Sequence, residues 1–291
     1  MNMQTNSQTS VNGHPGGLDS RSLDIRRTIV RIMEASGRGH LGSALSLVEI
    51  FRVLYDDVMR YDAKNPDWPQ RDRLILSKGQ GCLSLYALLA EKGFFPESEL
   101  SKVGMSDGIL GGHPELFVPG IEASTGALGH GLSIGIGMAL NAKHESANHR
   151  VFVVVGDGEC NEGSIWEGAM SAGKHRLDNL TVLVDYNKNQ SYGTTYEVQD
   201  LEPFGDKWRA FGFGVAEADG HSVTELRSVL SRVPFEPGKP NAIICHTVKG
   251  KGFSFVENNM DWHHKNRISE EEIQSLLAEL VEDPDTVGEV N

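Results

Sequence analysis

The sequence predicts an α/β fold, a doubly wound, mainly parallel sheet flanked by helices. Two observations carry this. Val151–Val155 (VFVVV) and Leu180–Val184 (LTVLV) are short, unbroken apolar runs rich in β-branched residues, the pattern of strands buried on both faces. Residues 161–175 between them read as a crossover helix, although Gly163, Gly168 and Gly173 weaken its propensity. Strand followed by glycine-rich turn and helix also occurs at Leu74-Ile75-Leu76, Ser77-Lys78-Gly79-Gln80-Gly81 and Leu83 to Lys92.

Taken in order, residues 1–17 are polar and without an apolar centre, the composition of a flexible tail rather than a signal peptide. Leu18 to Ala35 has apolar residues at helical spacing. A glycine-rich loop carrying His40 separates it from a second helix, Leu45 to Met59. Residues 61–73 form a polar connection to the strand at 74–76. Residues 106–131 are glycine-dense and contain His113 and His130. Ordering so many glycines is entropically costly for a purely structural loop, which points to function. A helix follows from Leu132 to Lys143. After the 151–190 unit, residues 191–207 read as a loop, and 208–221 carry no assigned element. A helix over Val223–Arg232 leads to a buried strand at 240–247, a basic glycine turn at 249–252, and Trp262-His263-His264-Lys265. Ser269 is placed to cap a last helix, 269–282, with acidic residues in its first turn. Residues 283–291 form a frayed acidic tail. No repeat or linker divides residues 18–282, which read as one domain.

The formal net charge of −13 on 291 residues argues against nucleic acid as a partner. No apolar run approaches membrane-spanning length. Cys82, Cys160 and Cys245 are far apart in sequence, without a CxxC, which fits a reducing, cytoplasmic setting. Cys160 reads as a small packed residue.

Chemistry concentrates where the two central strands end. Gly156-Asp157-Gly158 follows the first, and Asn187 closes the second. Ligands of open α/β sheets bind outside the carboxyl ends of the strands. A carboxylate and an amide oxygen, with a backbone carbonyl, make a hard oxygen-only half-shell suited to Mg²⁺ or Ca²⁺. The nearby helix start offers N–H groups to a diphosphate. Gly39 and Gly42 around His40 point to close approach of another group.

GDG with an asparagine some thirty residues later resembles the signature of thiamine-diphosphate enzymes. Further stretches, GRGHLGSALS, RDRLILSKGQG, GGHPE, STGALGHGLSIGIGMAL, GDGECNEGSIWEGAM, HTVKGKGFSFVENN and WHH, resemble the N-terminal, diphosphate-binding half of transketolase. The likeness extends to the α subunit of split, two-chain transketolases. The resemblance implies a thiamine-diphosphate-binding fold. It implies Asp157, Asn187 and the carbonyl of Asn189 as ligands of Mg²⁺, with Ca²⁺ or Mn²⁺ able to substitute. It places Gln80, Gly126, Ala127, Leu128, Gly156, Gly158, Glu159, Asn187 and His263 against the cofactor. His40, His113 and His263 would handle protons on substrate hydroxyls, a role that suits imidazole. Glu162 and Glu167 would couple the two active sites across a dimer. Gln80 stands where the family usually has His, Leu41 where it has Pro, and His264 where it has Gly. Tyr186 and His130 also depart from the commoner split sequences.

The implied activity is transfer of a two-carbon glycolaldehyde unit from a ketose to an aldose through thiamine diphosphate. It would require a C-terminal-half β subunit, in an α₂β₂ assembly, to supply the glutamate facing the aminopyrimidine and the residues that hold a sugar phosphate. The alternatives are a transketolase-like subunit for a non-standard sugar or carrier-bound acceptor, the decarboxylating α subunit of a 2-oxoacid dehydrogenase, and a non-catalytic metal- or nucleotide-binding module.

Overall fold

A computed structural model describes residues 17–280. The tails expected over 1–17 and 283–291 lie outside the described residues, apart from Gly17. Five strands form one sheet, β1 (Arg73–Leu76), β2 (Val151–Gly156), β3 (Leu180–Tyr186), β4 (Gly214–Asp219) and β5 (Asn241–His246), in the order β1-β2-β3-β5-β4. All four pairings are parallel. Every residue of β2 and β3 is buried, as their unbroken apolar runs predict.

Alternate residues of a strand feed opposite faces, and here they feed two cores. Phe152, Val154, Leu183 and Ile243 pack on one side. Val153, Val155, Val182 and Ile244 pack on the other. The first core is covered by α1 (Ser20–Ser36), α2 (Leu41–Leu45), α3 (Val48–Val53) and α4 (Cys82–Glu91), and later by α9 (Val223–Leu230) and α10 (Glu270–Glu279). The second is covered by α5 (Gly131–His144), α6 (Gly163–Lys174) and α8 (Phe204–Ala210). A short α7 spans Thr195–Gln199.

Caps explain several boundaries. Asp19 accepts from Ser22 N at the start of α1, and Gly37, at φ 68°, ends it. Ser269 and Glu272 form a capping box on α10. The single helix expected over 45–59 is instead α2, α3 and a π-helical turn, Leu54–Val58. The break falls at Ser46, whose hydroxyl donates to Asp185 on the sheet at 2.7 Å. The helix expected from 161 begins at Gly163, after a 3₁₀ turn over Gly158–Asn161. Residues 191–207 hold α7 and the start of α8, and β4 occupies a stretch with no expected element.

Candidate active site

The sheet register aligns the strand ends. Gly156 of β2 lies opposite Asp185 of β3, and Tyr186 lies opposite His246 of β5. Asp157, the first residue past β2, is buried to 2% exposure. One carboxylate oxygen accepts from Gly158 N at 2.7 Å and the other from Lys188 N. Lys188 presents that N–H by adopting φ 65°, uncommon for a residue with a side chain. Asn187 Oδ1 accepts from Asn189 N at 3.1 Å, and its amide donates to Asp185 at 3.0 Å. The carbonyl of Asn189 accepts from Lys249 Nζ at 3.0 Å.

Burial, and then the neighbouring Asp185 carboxylate, push the Asp157 carboxyl up to about 7. Asp185 behaves differently. Burial pushes it up too, but the Lys78 ammonium and hydrogen bonds from Lys78, Thr247 and Ser46 hold it below the ordinary carboxylate value. Asp185 is thus a neutralised strut, while Asp157 is a buried carboxyl with no cation salt-bridged to it among the described residues. Beside it, Gln190 packs against Gly158, where a Cβ would lie 3.1 Å from Gln190 Cγ. Its amide Nε2 is buried and has no hydrogen-bond partner among the described residues. A buried donor left unpaired is costly. An oxygen-only donor set needing a cation, next to an amide needing an acceptor, fits a divalent metal bound with a diphosphate.

Glu159 links the surrounding turns. It accepts from Ser77 Oγ, from Gly129 N at 2.8 Å and from Gly156 N at 3.1 Å. Its side chain faces inward, tying the 77–81 turn and the 126–131 loop to the end of β2. The two turns are also packed closely. A Cβ at Gly79 would come 3.1 Å from Gly126 N and from the His113 ring. Gly126 has φ 148°, and a Cβ there would meet the same ring at 3.2 Å. Ala127 is exposed and Leu128 half-buried.

The three expected histidines converge. The His40 ring centroid lies 6.0 Å from that of His113 and 6.1 Å from that of His263. His264 joins them, 4.4 Å from His40. Burial, then the neighbouring imidazoles, lower His40 to about 3. Burial and the nearby Lys249 ammonium lower His263 to about 4. Both are therefore neutral near pH 7 and can accept or donate a hydrogen bond. Among the described residues no group of three or more His, Cys, Asp or Glu side chains is placed to hold a metal. Gln80, His40, His113 and His264 line one cavity of about 220 Å³.

Glu162 and Glu167 are exposed at the start and middle of α6, and Glu162 packs against Gly129 of the 126–131 loop, where a Cβ would lie 2.8 Å from its own. Leu41 is fully buried and opens α2. Tyr186 is buried, its hydroxyl donating to Glu202 at 2.6 Å. His130 is exposed and precedes α5. Lys78, Asp185, Gln190 and Ser191 were not singled out by sequence, and Lys249 only as part of a basic turn. The signal for Lys78 and Asp185 is one charged residue of each sign at the tips of otherwise apolar strands. The three cysteines are free and buried, and no helix among the described residues is long and apolar enough to cross a membrane.

Residues 19–291 match the family model described as "Transketolase, thiamine diphosphate binding domain". The chain is 42% identical to an apulose-4-phosphate transketolase subunit of Phocaeicola vulgatus, over 85% of this chain and 88% of that protein. It is also 42% identical to the 6-deoxy-6-sulfo-D-fructose transketolase subunit SqwG of a Clostridium species, over 88% of this chain and 93% of that protein. Among solved structures, transketolase from Leishmania mexicana superposes with a TM-score of 0.85 at 30% identity, covering 94% of this chain and 42% of the other. The chain thus spans nearly all of the two subunits and less than half of that solved chain.

Proposed function

The chain belongs to the transketolase family, matched through its thiamine diphosphate binding domain, and on that premise we propose that it is the diphosphate-binding subunit of a two-chain enzyme moving a two-carbon ketol unit from a ketose to an aldose. The observation that carries this reading is the grouping of Asp157, the Asn187 amide oxygen and the Asn189 carbonyl beside the orphaned Gln190 amide. Those three oxygens would hold Mg²⁺, and the unpaired Gln190 amide would meet the diphosphate. When bound, thiamine diphosphate supplies the electron sink that carbon–carbon cleavage needs.

The chain's own part is position and proton transfer. His40, His113 and His263 lie close together and would take protons from, and return them to, the sugar hydroxyls, His40 and His263 as neutral imidazoles. Lys249 holds His263 and the Asn189 carbonyl in register. The substrates are sugars with an anionic end, by analogy with the phosphate and the sulfonate in the relatives' names.

The remaining catalytic groups come from a C-terminal-half partner, in an α₂β₂ assembly. Exposed Glu162 and Glu167 on α6, beside exposed Met170 (53%) and Ile134 (36%), support self-association through α5 and α6. Buried free thiols support a reducing, cytosolic setting. The test is reconstitution with the partner, assayed on xylulose 5-phosphate plus ribose 5-phosphate and on sulfonated and branched sugars. Ketol transfer dependent on thiamine diphosphate and Mg²⁺ is expected. No transfer with any ketose, together with no Mg²⁺-dependent rise in melting temperature on adding the cofactor, would refute the reading.

A further inference from the structure

β4 ends at Asp219, and the chain then crosses the tip of β5. Gly220 N donates to the carbonyl of His246 at 2.8 Å, and a Cβ on Gly220 would come within 2.3 Å of Thr247 Cγ2. Only glycine lets the two segments approach so closely. Asp219 accepts from His221 N at 2.8 Å. The crossing delivers the His221 imidazole to the 248–251 turn, where Val248 N donates to its Nε2 at 2.9 Å. A backbone N–H can only donate, so Nε2 is the acceptor and the ring proton sits on Nδ1. Nδ1 lies 2.8 Å from Glu49 Oε2, and the proton is given to that carboxylate.

Glu49 is fully buried and also receives Arg26, from Nη1 at 2.6 Å and from Nη2 at 3.1 Å. Arg26, equally buried, sends its Nε to the Lys251 carbonyl at 2.9 Å. One buried group, built from α1, α3 and the segment after β4, thus grips both ends of a four-residue turn. Between those ends Lys249 reaches the cleft, its Nζ 3.0 Å from the Asn189 carbonyl and 2.5 Å from His263 Nδ1. Burying an ion pair returns little net stability, because desolvation offsets its attraction. What this group adds is direction, through two hydrogen bonds to particular backbone atoms. Displacing a group at a reaction centre by about 1 Å can cost on the order of a hundredfold in rate, and Lys249 must meet two acceptors at once.

We propose that His221 is a positioning residue for the reaction: held by Glu49 as the Nδ1–H tautomer, it accepts the Val248 N–H and, with Arg26 on the Lys251 carbonyl, sets the 248–251 turn so that Lys249 meets both His263 and the Asn189 carbonyl. His221 acts through Lys249. The proposal rests on the ketol-transfer reading for the effect on rate, but not for the effect on His263.

The test compares two amides. His221→Asn keeps a donor near the place of Nδ1 for Glu49 but is too short to reach Val248. His221→Gln keeps an acceptor near the place of Nε2 for Val248. In the enzyme reconstituted with its partner and assayed on xylulose 5-phosphate plus ribose 5-phosphate, kcat should fall about tenfold or more in His221→Asn and return to within about threefold of wild type in His221→Gln. A kcat no lower in His221→Asn than in His221→Gln overturns the proposal, because a merely structural role would not separate them in that direction. In the full chain alone, imidazole nitrogen shifts are read by NMR. The wild type should show His221 protonated on Nδ1 and His263 on Nε2. His221→Asn should abolish the tautomer preference of His263, and His221→Gln should keep it. A His221 proton on Nε2, or His263 shifts that do not separate the two variants, overturns the proposal. This arm still decides if ketol transfer itself is not found, and its wild-type reading decides if a variant does not fold.

Discussion

Nζ of Lys249 lies 2.5 Å from Nδ1 of His263, inside a site where the same ammonium also donates to the Asn189 carbonyl. An ammonium has only donors, so Nδ1 is the acceptor and the proton of the neutral ring sits on Nε2, facing Ser191 Oγ at 3.1 Å. One lysine thus fixes the tautomer of His263 and, after burial, helps hold the ring neutral. Lys249→Met should let His263 climb from about 4 towards its ordinary 6.5. A pH titration of its ring carbons by NMR would show this, and a value still near 4 would mean burial alone sets it.

Acid should weaken the fold through the histidine cluster. His40 and His263, near 3 and 4 when folded, both titrate at 6.5 when exposed. Between those values the unfolded chain binds more protons, so stability rises with pH and is lost as pH falls below about 6.5. Asp157 acts oppositely. Its folded value near 7 exceeds its ordinary 3.8, so its contribution falls as pH rises through that window. His40→Asn should flatten the loss of urea midpoint between pH 7 and 5, and Asp157→Asn should steepen it.

Asp157 should also make metal binding pH-dependent. A carboxyl near 7 must shed its proton to bind a cation. Mg²⁺-dependent uptake of thiamine diphosphate should weaken by about tenfold per pH unit below 7, by calorimetry. Asp157→Ala should abolish uptake and also lower the melting temperature of the cofactor-free chain modestly, because it strands the Gly158 and Lys188 N–H groups.

Glu159 is expected to matter for order more than for affinity. Glu159→Ala strands Ser77 Oγ and the N–H groups of Gly129 and Gly156. The cost should be about 1–3 kcal/mol in urea unfolding, with faster hydrogen exchange across residues 126–131.

Behind the 248–251 turn, Arg26 and Glu49 form a buried pair at 2.6 Å, with His221 Nδ1 2.8 Å from the other carboxylate oxygen. Arg26→Met leaves Glu49 buried without its main cation. A loss of about 3–5 kcal/mol is expected, larger than for the exposed Arg209–Asp206 pair.

How much of this was legible in the sequence depended on burial and on distance along the chain. β2 and β3 announce themselves because both faces are covered and every residue is apolar or packed. β4 is a sheet edge whose residues alternate irregularly between buried and exposed, so hydropathy gives no period to read. Asp157 and Asn187 were visible because each directly follows a buried run. Lys78 and Asp185 each stand as a charge at the tip of an apolar strand, but their pairing joins residues 107 positions apart, which no local pattern conveys. The histidines were assigned by resemblance, since isolated histidines in loops carry no spacing. His264, far from His40 in sequence, meets it through an antiparallel backbone bridge in which Gly39 and Lys265 each donate to the other's carbonyl at 2.9 Å.

That bridge has a consequence for biosynthesis. One of its strands follows the first helix, and the other emerges from the ribosome only after every strand of the sheet. The sheet, whose final strand ends at His246, can close while residues 263–266 are still in the exit tunnel. A nascent chain arrested there would be compact yet lack half of its imidazole cluster, so competence for chemistry arrives after the scaffold is already built.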